Sequence, residues 1–187
     1  MNAQSQLTIA DEPAVRESEW KCDYSCLLES TPCPDYKICI VRKKLLQHVS
    51  SRYNSAKNDA IQRFHINPPE KADIQSLFYD SLQNGLTCRY CENKLNIFAT
   101  RGDIRFAISL DHIIALSCGG TNSRRNLELI CHRCNIIKSV SHPDHFDTVV
   151  LALKTKYGVA GLNDYLNKIY PLLFANFVMN RDSNEVR

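Results

Sequence analysis

The sequence predicts an α+β fold in which two short strands and a metal site are surrounded by several α-helices. Apolar residues recur at helical spacing over residues 42–65 and again at 144–157 and 160–178. The runs "IRFAISLDHII" and "LELI" are rich in β-branched and aromatic residues, as strands are. Two Cys-x-x-Cys pairs flank these runs. We therefore expect a small sheet that is cross-linked by a metal ion and covered by helices.

Helical segments enclose the predicted strands on both sides. The "NPP" at 67–69 separates the helix at 42–65 from a second helix that ends near Gly85. A further helix is expected to begin at "HRCNIIKSV", and glycines separate the two C-terminal segments, in which Pro171 would kink or end the second. The second helix should bury one apolar stripe, formed by Ile74, Leu77, Phe78 and Leu82.

Composition divides the 187-residue chain into four regions. Residues 1–41 hold an acidic segment and a cysteine-rich element, 42–84 are basic and helical, 85–142 form the core with the paired cysteines, and 143–187 form helices that pack on that core. The net charge of +3 permits nucleic-acid binding without requiring it. The basic helix presents either an ordinary solvated face or a face that contacts phosphates.

The cysteines are better explained by metal binding than by disulfides. No apolar run is as long as a bilayer span and no secretory signal is evident, so we expect a cytoplasmic protein without membrane association. In a reducing compartment, Cys-x-x-Cys pairs are more often metal sites. Four thiolates leave no open coordination position, so the predicted zinc is structural. Its ligands are Cys88, Cys91, Cys131 and Cys134.

A second group of cysteines has irregular gaps. These residues could wrap another zinc ion, or they could form disulfides or remain free thiols. The group consists of Cys22, Cys26, Cys33 and Cys39.

An Asp-His pair stands at the end of the first predicted strand. A neutral His accepts a proton from water near neutral pH, and an Asp carboxylate suits Mg²⁺ or Mn²⁺. Alone, Asp111 and His112 would more simply be a partly buried imidazole with its carboxylate. The chemical interpretation is favoured because Asn126 can fix an imidazole, and because zinc would hold Asn135 rigidly after the last cysteine.

The segments "CRYC" (88–91), "SLDHIIALSCGGTNSRRNLELIC" (109–131) and "CHRCNIIK" (131–138) resemble the HNH endonucleases. The resemblance implies a ββα-metal core, with His112 as the general base and Asp111 as the first metal ligand. It also implies that Asn126 holds the His ring and that Asn135 is the second metal ligand. Since the last motif position is Asn rather than His, the chain resembles the HNN variant, and an amide oxygen favours Mg²⁺ or Mn²⁺ over softer ions.

The resemblance implies a divalent-metal-dependent endonuclease that hydrolyses DNA, with structural zinc. A double-strand break would need a homodimer or two successive events. The alternatives are a zinc-stabilised DNA-binding module without catalysis, or the same chemistry on RNA or branched DNA. Four basic residues are expected to contact nucleic acid, with a solubilising surface as the simpler interpretation of each: Arg124, Arg125, Arg133 and Lys138.

Overall fold

A computed structural model describes residues 40–97, 104–139 and 141–184. The cysteine-rich element predicted within residues 1–41, including Cys22, Cys26, Cys33 and Cys39, lies outside the described residues. The expected α+β class is confirmed, and none of the helices in the described ranges has the length and apolar character needed to cross a membrane. The elements are α1 (Ile40–Asp59), α2 (Lys71–Gln83), β1 (Ile108–His112), β2 (Leu127–Cys131), α3 (His132–Lys138) and α4 (Pro143–Asn184).

Strands β1 and β2 pair antiparallel in a two-stranded ribbon. Ile108 lies opposite Cys131 at one end, and His112 lies opposite Leu127 at the other. Strand β1 is shorter than the sequence run that predicted it, because residues before Ile108 hydrogen-bond to α3 instead. The carbonyl oxygens at 105 and 107 accept hydrogen bonds from the first backbone N–H groups of α3, which have no partner within that helix.

The helices before the ribbon bury the stripes expected of amphipathic helices. All four predicted core residues of α2 are buried, and α2 packs against both α1 and β2. In α1 the buried side chains include Leu45 and Val49, whereas Leu46 is 41% exposed. A π-helical turn, Ala60–Phe64, extends α1 towards the "NPP" connection. These helices form the support on which the ribbon lies.

Helix α4 is broken at Gly158, whose φ of 69° is in the left-handed region that favours glycine. The part after the break buries Leu162 and Leu166 against the core, and α4 packs on α3. Pro171 lies inside the second part without ending it, and the helix continues to Asn184. The C-terminal helices therefore clamp α3 against the ribbon.

Candidate functional site

Four thiols form a buried cluster where β2 meets α3. The Sγ atoms of Cys88, Cys91, Cys131 and Cys134 all lie within 4.8 Å of one another, and each residue has 0% exposure. The Sγ atoms of Cys91 and Cys131 are 3.7 Å apart. A zinc ion at about 2.3 Å from each sulfur needs sulfur–sulfur edges of about 3.8 Å in a tetrahedron. The donor set and its spacing therefore fit a structural zinc.

Local backbone hydrogen bonds shape both halves of this thiol cluster. A tight turn links Cys88 N to Asn93 O and Glu92 N to Cys88 O, both at 2.9 Å. At the start of α3, Cys134 N donates to Cys131 Sγ at 3.4 Å. Hydrogen bonding to Cys131 and the other thiols, together with burial, raises the pKa of the Cys134 thiol. A bound zinc reverses this tendency, because a coordinating thiol is deprotonated.

Arg133 lies between the last two cysteines and is fully buried. Its guanidinium donates to Asn163 Oδ1 and Asn167 Oδ1, each at 2.5 Å, and stacks over the Phe106 ring. The prediction that Arg133 contacts nucleic acid is therefore wrong. The periodicity of α3 turns this side chain towards α4. There it links the start of α3, next to the thiol cluster, to the second part of α4.

Asp111 is buried at the far end of the ribbon from the zinc cluster. Its Oδ2 lies 2.8 Å from Nζ of Lys138, but among the described residues this oxygen accepts no hydrogen bond of good geometry. Lys138, with a fully buried side chain, also donates to His112 O at 2.8 Å. Burial raises the pKa of Asp111, and the ammonium of Lys138 opposes that shift. An anionic Asp111 is therefore held where a cation is favourable.

Glu128 lies directly opposite Asp111 in the ribbon, so their side chains share one face. Tyr90 donates to Glu128 Oε1 at 3.0 Å, and Arg89 donates to Oε2 at 3.1 Å. Burial raises the pKa of Glu128, and the neighbouring charge of Asp111 adds to the shift. Both oxygens of Glu128 are thus engaged, whereas Oδ2 of Asp111 accepts no hydrogen bond of good geometry. The sequence analysis missed this network, because Tyr90 and Arg89 carried no signal beyond lying between two cysteines.

His112 is half-buried at the end of β1, where the predicted strand end is confirmed. Its Nε2 lies 2.7 Å from Asn122 Oδ1. Asn122 is itself 8% exposed, and its Nδ2 donates to Asn67 O at 2.7 Å. Asn122 was not among the predicted site residues, although it stands in the same loop as Asn126. The loop sequence offers two amides, and only the folded chain distinguishes their partners.

Asn126 holds the loop after His112 rather than the His ring, which corrects the implied role. Its Oδ1 accepts from Ile114 N at 2.8 Å, and its Nδ2 donates to Ile114 O and Thr121 O at 2.9 and 2.8 Å. The two ends of the loop are thereby fastened together. Gly120 is required in this loop, because a Cβ atom there would lie 1.9 Å from Ile114 O. Asn126 thus shapes the loop that carries Asn122.

Asn135 occupies the first turn of α3 and is half-buried. It precedes Lys138 by three residues, so both side chains lie on the same face of the helix. Since Lys138 reaches Asp111, this face is turned towards the end of β1. The Asn135 amide forms no side-chain hydrogen bond with any residue in the described ranges. Its oxygen is therefore available as a ligand on the side of α3 that faces the Asp111–His112 pair, called the dyad below.

The remaining predicted nucleic-acid contacts divide into buried and exposed residues. Lys138 is fully buried against Asp111, so the prediction that it belongs to a phosphate-binding surface is wrong. Arg124 forms an ion pair with Asp80, and its side chain is 33% exposed. Arg125 is exposed. Of the four predicted residues, Arg125 is thus the most accessible to a large anionic partner.

Residues 88–141, less than a third of the chain, match the family model described as HNH endonuclease. This segment contains the thiol cluster, both strands, the loop between them and α3, an arrangement that fits a ββα-metal core. The resemblance inferred from the motifs is confirmed. No curated protein and no solved structure shows a significant match to the chain. The family match supports a nuclease-type function.

Proposed function

We propose that this protein is a divalent-metal-dependent endonuclease that hydrolyses DNA phosphodiester bonds, with His112 as the general base. The observation that carries the proposal is the end of β1, where His112 follows a buried Asp111 carboxylate with an oxygen that lacks a well-formed hydrogen bond. This arrangement lies within the segment that matches the HNH family model. A buried carboxylate of this kind is costly unless a cation completes its environment.

His112 has the chemistry required of the base. A neutral imidazole can take a proton from water near neutral pH, and a base so placed contributes about 10²- to 10⁴-fold to the rate. His112 is half-buried, so part of the residue is in contact with solvent water. The fastened loop between Ile114 and Asn126 holds the chain that follows the base.

The residues around Asp111 fit a hard divalent cation. The Asp111 carboxylate and the Asn135 amide supply oxygen donors, which Mg²⁺ and Mn²⁺ prefer. When bound, such an ion would offset the negative charge that develops on the scissile phosphate and its leaving oxygen. The ammonium of Lys138, 2.8 Å from Asp111 Oδ2, balances part of the carboxylate's charge. Zinc at the thiol cluster has a separate, structural task.

The DNA backbone would cross the surface near the loop at 119–126, where Arg125 is exposed. The basic residues of α1 could extend this track, because Lys43 and Lys57 are also exposed. One ribbon with one dyad cuts one strand, so the primary product should be a nick. A double-strand break would require a homodimer or two events.

The decisive experiment is a cleavage assay on supercoiled plasmid with Mg²⁺ or Mn²⁺, with and without EDTA. We expect metal-dependent nicking by the wild type and about a 10²-fold or larger loss in His112→Ala, with DNA binding retained. His145→Ala is the matched control, because it removes an exposed histidine outside the site and should nick normally.

Three outcomes would redirect the proposal. Binding without nicking under every metal condition would favour a zinc-stabilised DNA-binding module. Cleavage of RNA or of branched DNA in preference to the plasmid would keep the chemistry and change the substrate. Equal nicking by His112→Ala and wild type would remove His112 from the role of base.

A further inference from the structure

We infer that Asn122 is a positioning residue that fixes the tautomer of His112 and thereby determines which ring nitrogen accepts the proton from water. The catalytic consequence rests on the function proposed above. The structural part, an amide that selects one imidazole tautomer, stands on the contacts of Asn122 alone. Two hydrogen bonds carry it, one to the ring and one to the connection between α1 and α2.

The orientation of the Asn122 amide follows from its second partner. A backbone carbonyl oxygen only accepts hydrogen bonds, so the atom 2.7 Å from Asn67 O must be the amide nitrogen. A reversed amide would place two carbonyl oxygens in contact, which is repulsive. The amide oxygen therefore faces His112 Nε2, also at 2.7 Å. Since this oxygen can only accept, Nε2 must carry the proton.

A neutral imidazole has one N–H donor and one nitrogen with a free lone pair. With the proton on Nε2, the lone pair is on Nδ1, and within the described residues Nδ1 has no hydrogen-bond partner. Nδ1 is thus the nitrogen that can accept a proton from water. In the other tautomer, the lone pair of Nε2 would face the amide oxygen of Asn122, and the base would be blocked.

The anchor of Asn122 lies outside the segment that matches the HNH family model. Asn67 precedes Pro68, which restricts its backbone to an extended conformation, and Pro69 is buried. The carbonyl oxygen of Asn67 is therefore presented by a stiff connection. On the other side, Asn126 holds Thr121 O, next to Asn122 in the chain. The tautomer of His112 is thus determined jointly by the loop and by the helical region at 42–84.

The tautomer can be measured directly by ¹⁵N NMR of the His112 ring in the zinc-loaded protein, above the pH at which the ring is protonated. We expect the wild type to show a protonated Nε2 and an unprotonated Nδ1. In Asn122→Ala, a mixture of tautomers should appear, and kcat for nicking should fall about 10- to 100-fold because the ring is no longer held in register. KM should change little, since Asn122 is buried and faces the ring.

Asn67→Ala is the matched control. It removes the side chain but keeps the backbone carbonyl that anchors Asn122, so tautomer and kcat should both stay at wild-type values. The wild-type spectrum alone also tests the tautomer, which covers the case in which the alanine variant fails to fold.

A wild-type spectrum with the proton on Nδ1 would overturn the inference, with or without any variant. An unchanged tautomer and rate in folded Asn122→Ala would overturn it as well. Because the spectra need no substrate, they separate this inference from the proposed function. An inactive protein with the expected spectra would reject the nuclease and keep the role of Asn122 in selecting the tautomer.

Discussion

The thiol cluster and the Asp111–His112 dyad lie at opposite ends of the same two-stranded ribbon. Cys131 pairs with Ile108 at one end, and His112 pairs with Leu127 at the other. Helix α3 runs back between them, from Cys134 beside the cluster to Lys138 beside Asp111. The ribbon and α3 thus join the thiol end to the end that carries Asp111 and His112, which is the reactive end in the function proposed above.

The two ends differ in how completely their polar groups are satisfied. The four thiols point at one another with the spacing of a closed tetrahedron, so a single ion completes them. At the reactive end, Asp111 has one cationic neighbour and a carboxylate oxygen without a well-formed hydrogen bond. The thiol end, here called the closed end, is therefore suited to providing rigidity. The oxygen and nitrogen atoms without partners at the other end are the ones that the proposed chemistry would use.

Removing one thiol ligand at the closed end should have the largest effect on the stability of the fold. In Cys131→Ser, the loss of one thiolate should remove most of a zinc-binding free energy of about 10 kcal/mol, which is comparable to the whole stability of a small domain. We expect loss of bound zinc by mass spectrometry of the metal and loss of a cooperative thermal transition. Cys118→Ser is the control, because Cys118 is exposed and lies outside the cluster. Unchanged melting of Cys131→Ser, or of metal-free wild type, would contradict a structural zinc.

Removing Asp111 at the reactive end should lower the free energy of unfolding by less, and a second substitution should restore most of the loss. Asp111→Ala leaves the buried ammonium of Lys138 without its anion, and we expect a loss of about 3 kcal/mol in the free energy of unfolding. Adding Lys138→Met should recover most of this loss, since the unpaired charge is then removed. Urea denaturation of the two single variants and the double variant gives the coupling energy. A purely additive result would mean that the two side chains are not an ion pair in solution.

Local patterns in the sequence predicted the thiol cluster and the core of α2, because both follow from fixed spacing. Two matched Cys-x-x-Cys pairs define the cluster, and 3.6-residue periodicity defines the stripe that includes Ile74 and Phe78. Charged residues were harder to place. Arg133 was expected to contact nucleic acid, with a solubilising surface as the alternative. Its burial depends on two Asn residues about thirty positions later in the chain.

The two amides of the loop show the same limit of prediction from sequence. Asn122 and Asn126 both lie within reach of the end of β1, and either could have held the imidazole. Which one does so depends on Gly120 and on the carbonyl of Asn67, about fifty residues earlier in the chain. A partner so distant in sequence leaves no periodic signal near His112. The sequence predicted that the Asp-His pair lies at a strand end, whereas the partners of the two loop amides could be read only from the tertiary structure.

A pair of arginine variants separates structural from nucleic-acid contacts. Arg133→Gln should lower the free energy of unfolding by about 2 kcal/mol, because it weakens two charge-assisted hydrogen bonds to α4. It should leave the salt dependence of DNA binding unchanged in the folded protein. Arg125→Gln should have the opposite profile, with stability unchanged to about 0.5 kcal/mol and a salt slope reduced by about one. A reduced salt slope in Arg133→Gln would return that residue to the nucleic-acid surface.

The smallest expected effect on stability comes from His48 in α1, one of the helices that support the ribbon. His48 Nε2 donates to Ile97 O at 2.8 Å, and the ring stacks on Phe78. Burial lowers the pKa of His48, and the charges of Arg52 and Lys44 lower it further. Since the folded-state pKa lies below the unfolded value of 6.5, the neutral ring contributes stability above that pH, and this contribution is lost as the pH falls through the folded pKa.

We therefore expect zinc-saturated wild type to lose more stability than His48→Gln when urea unfolding is compared at pH 7 and at mildly acidic pH. The glutamine amide can still donate to Ile97 O but has no proton to gain. Zinc release and the other histidines affect both proteins alike, so the difference in their pH slopes isolates His48. If the two slopes agree, the ring is already as solvated in the folded protein as in the unfolded chain.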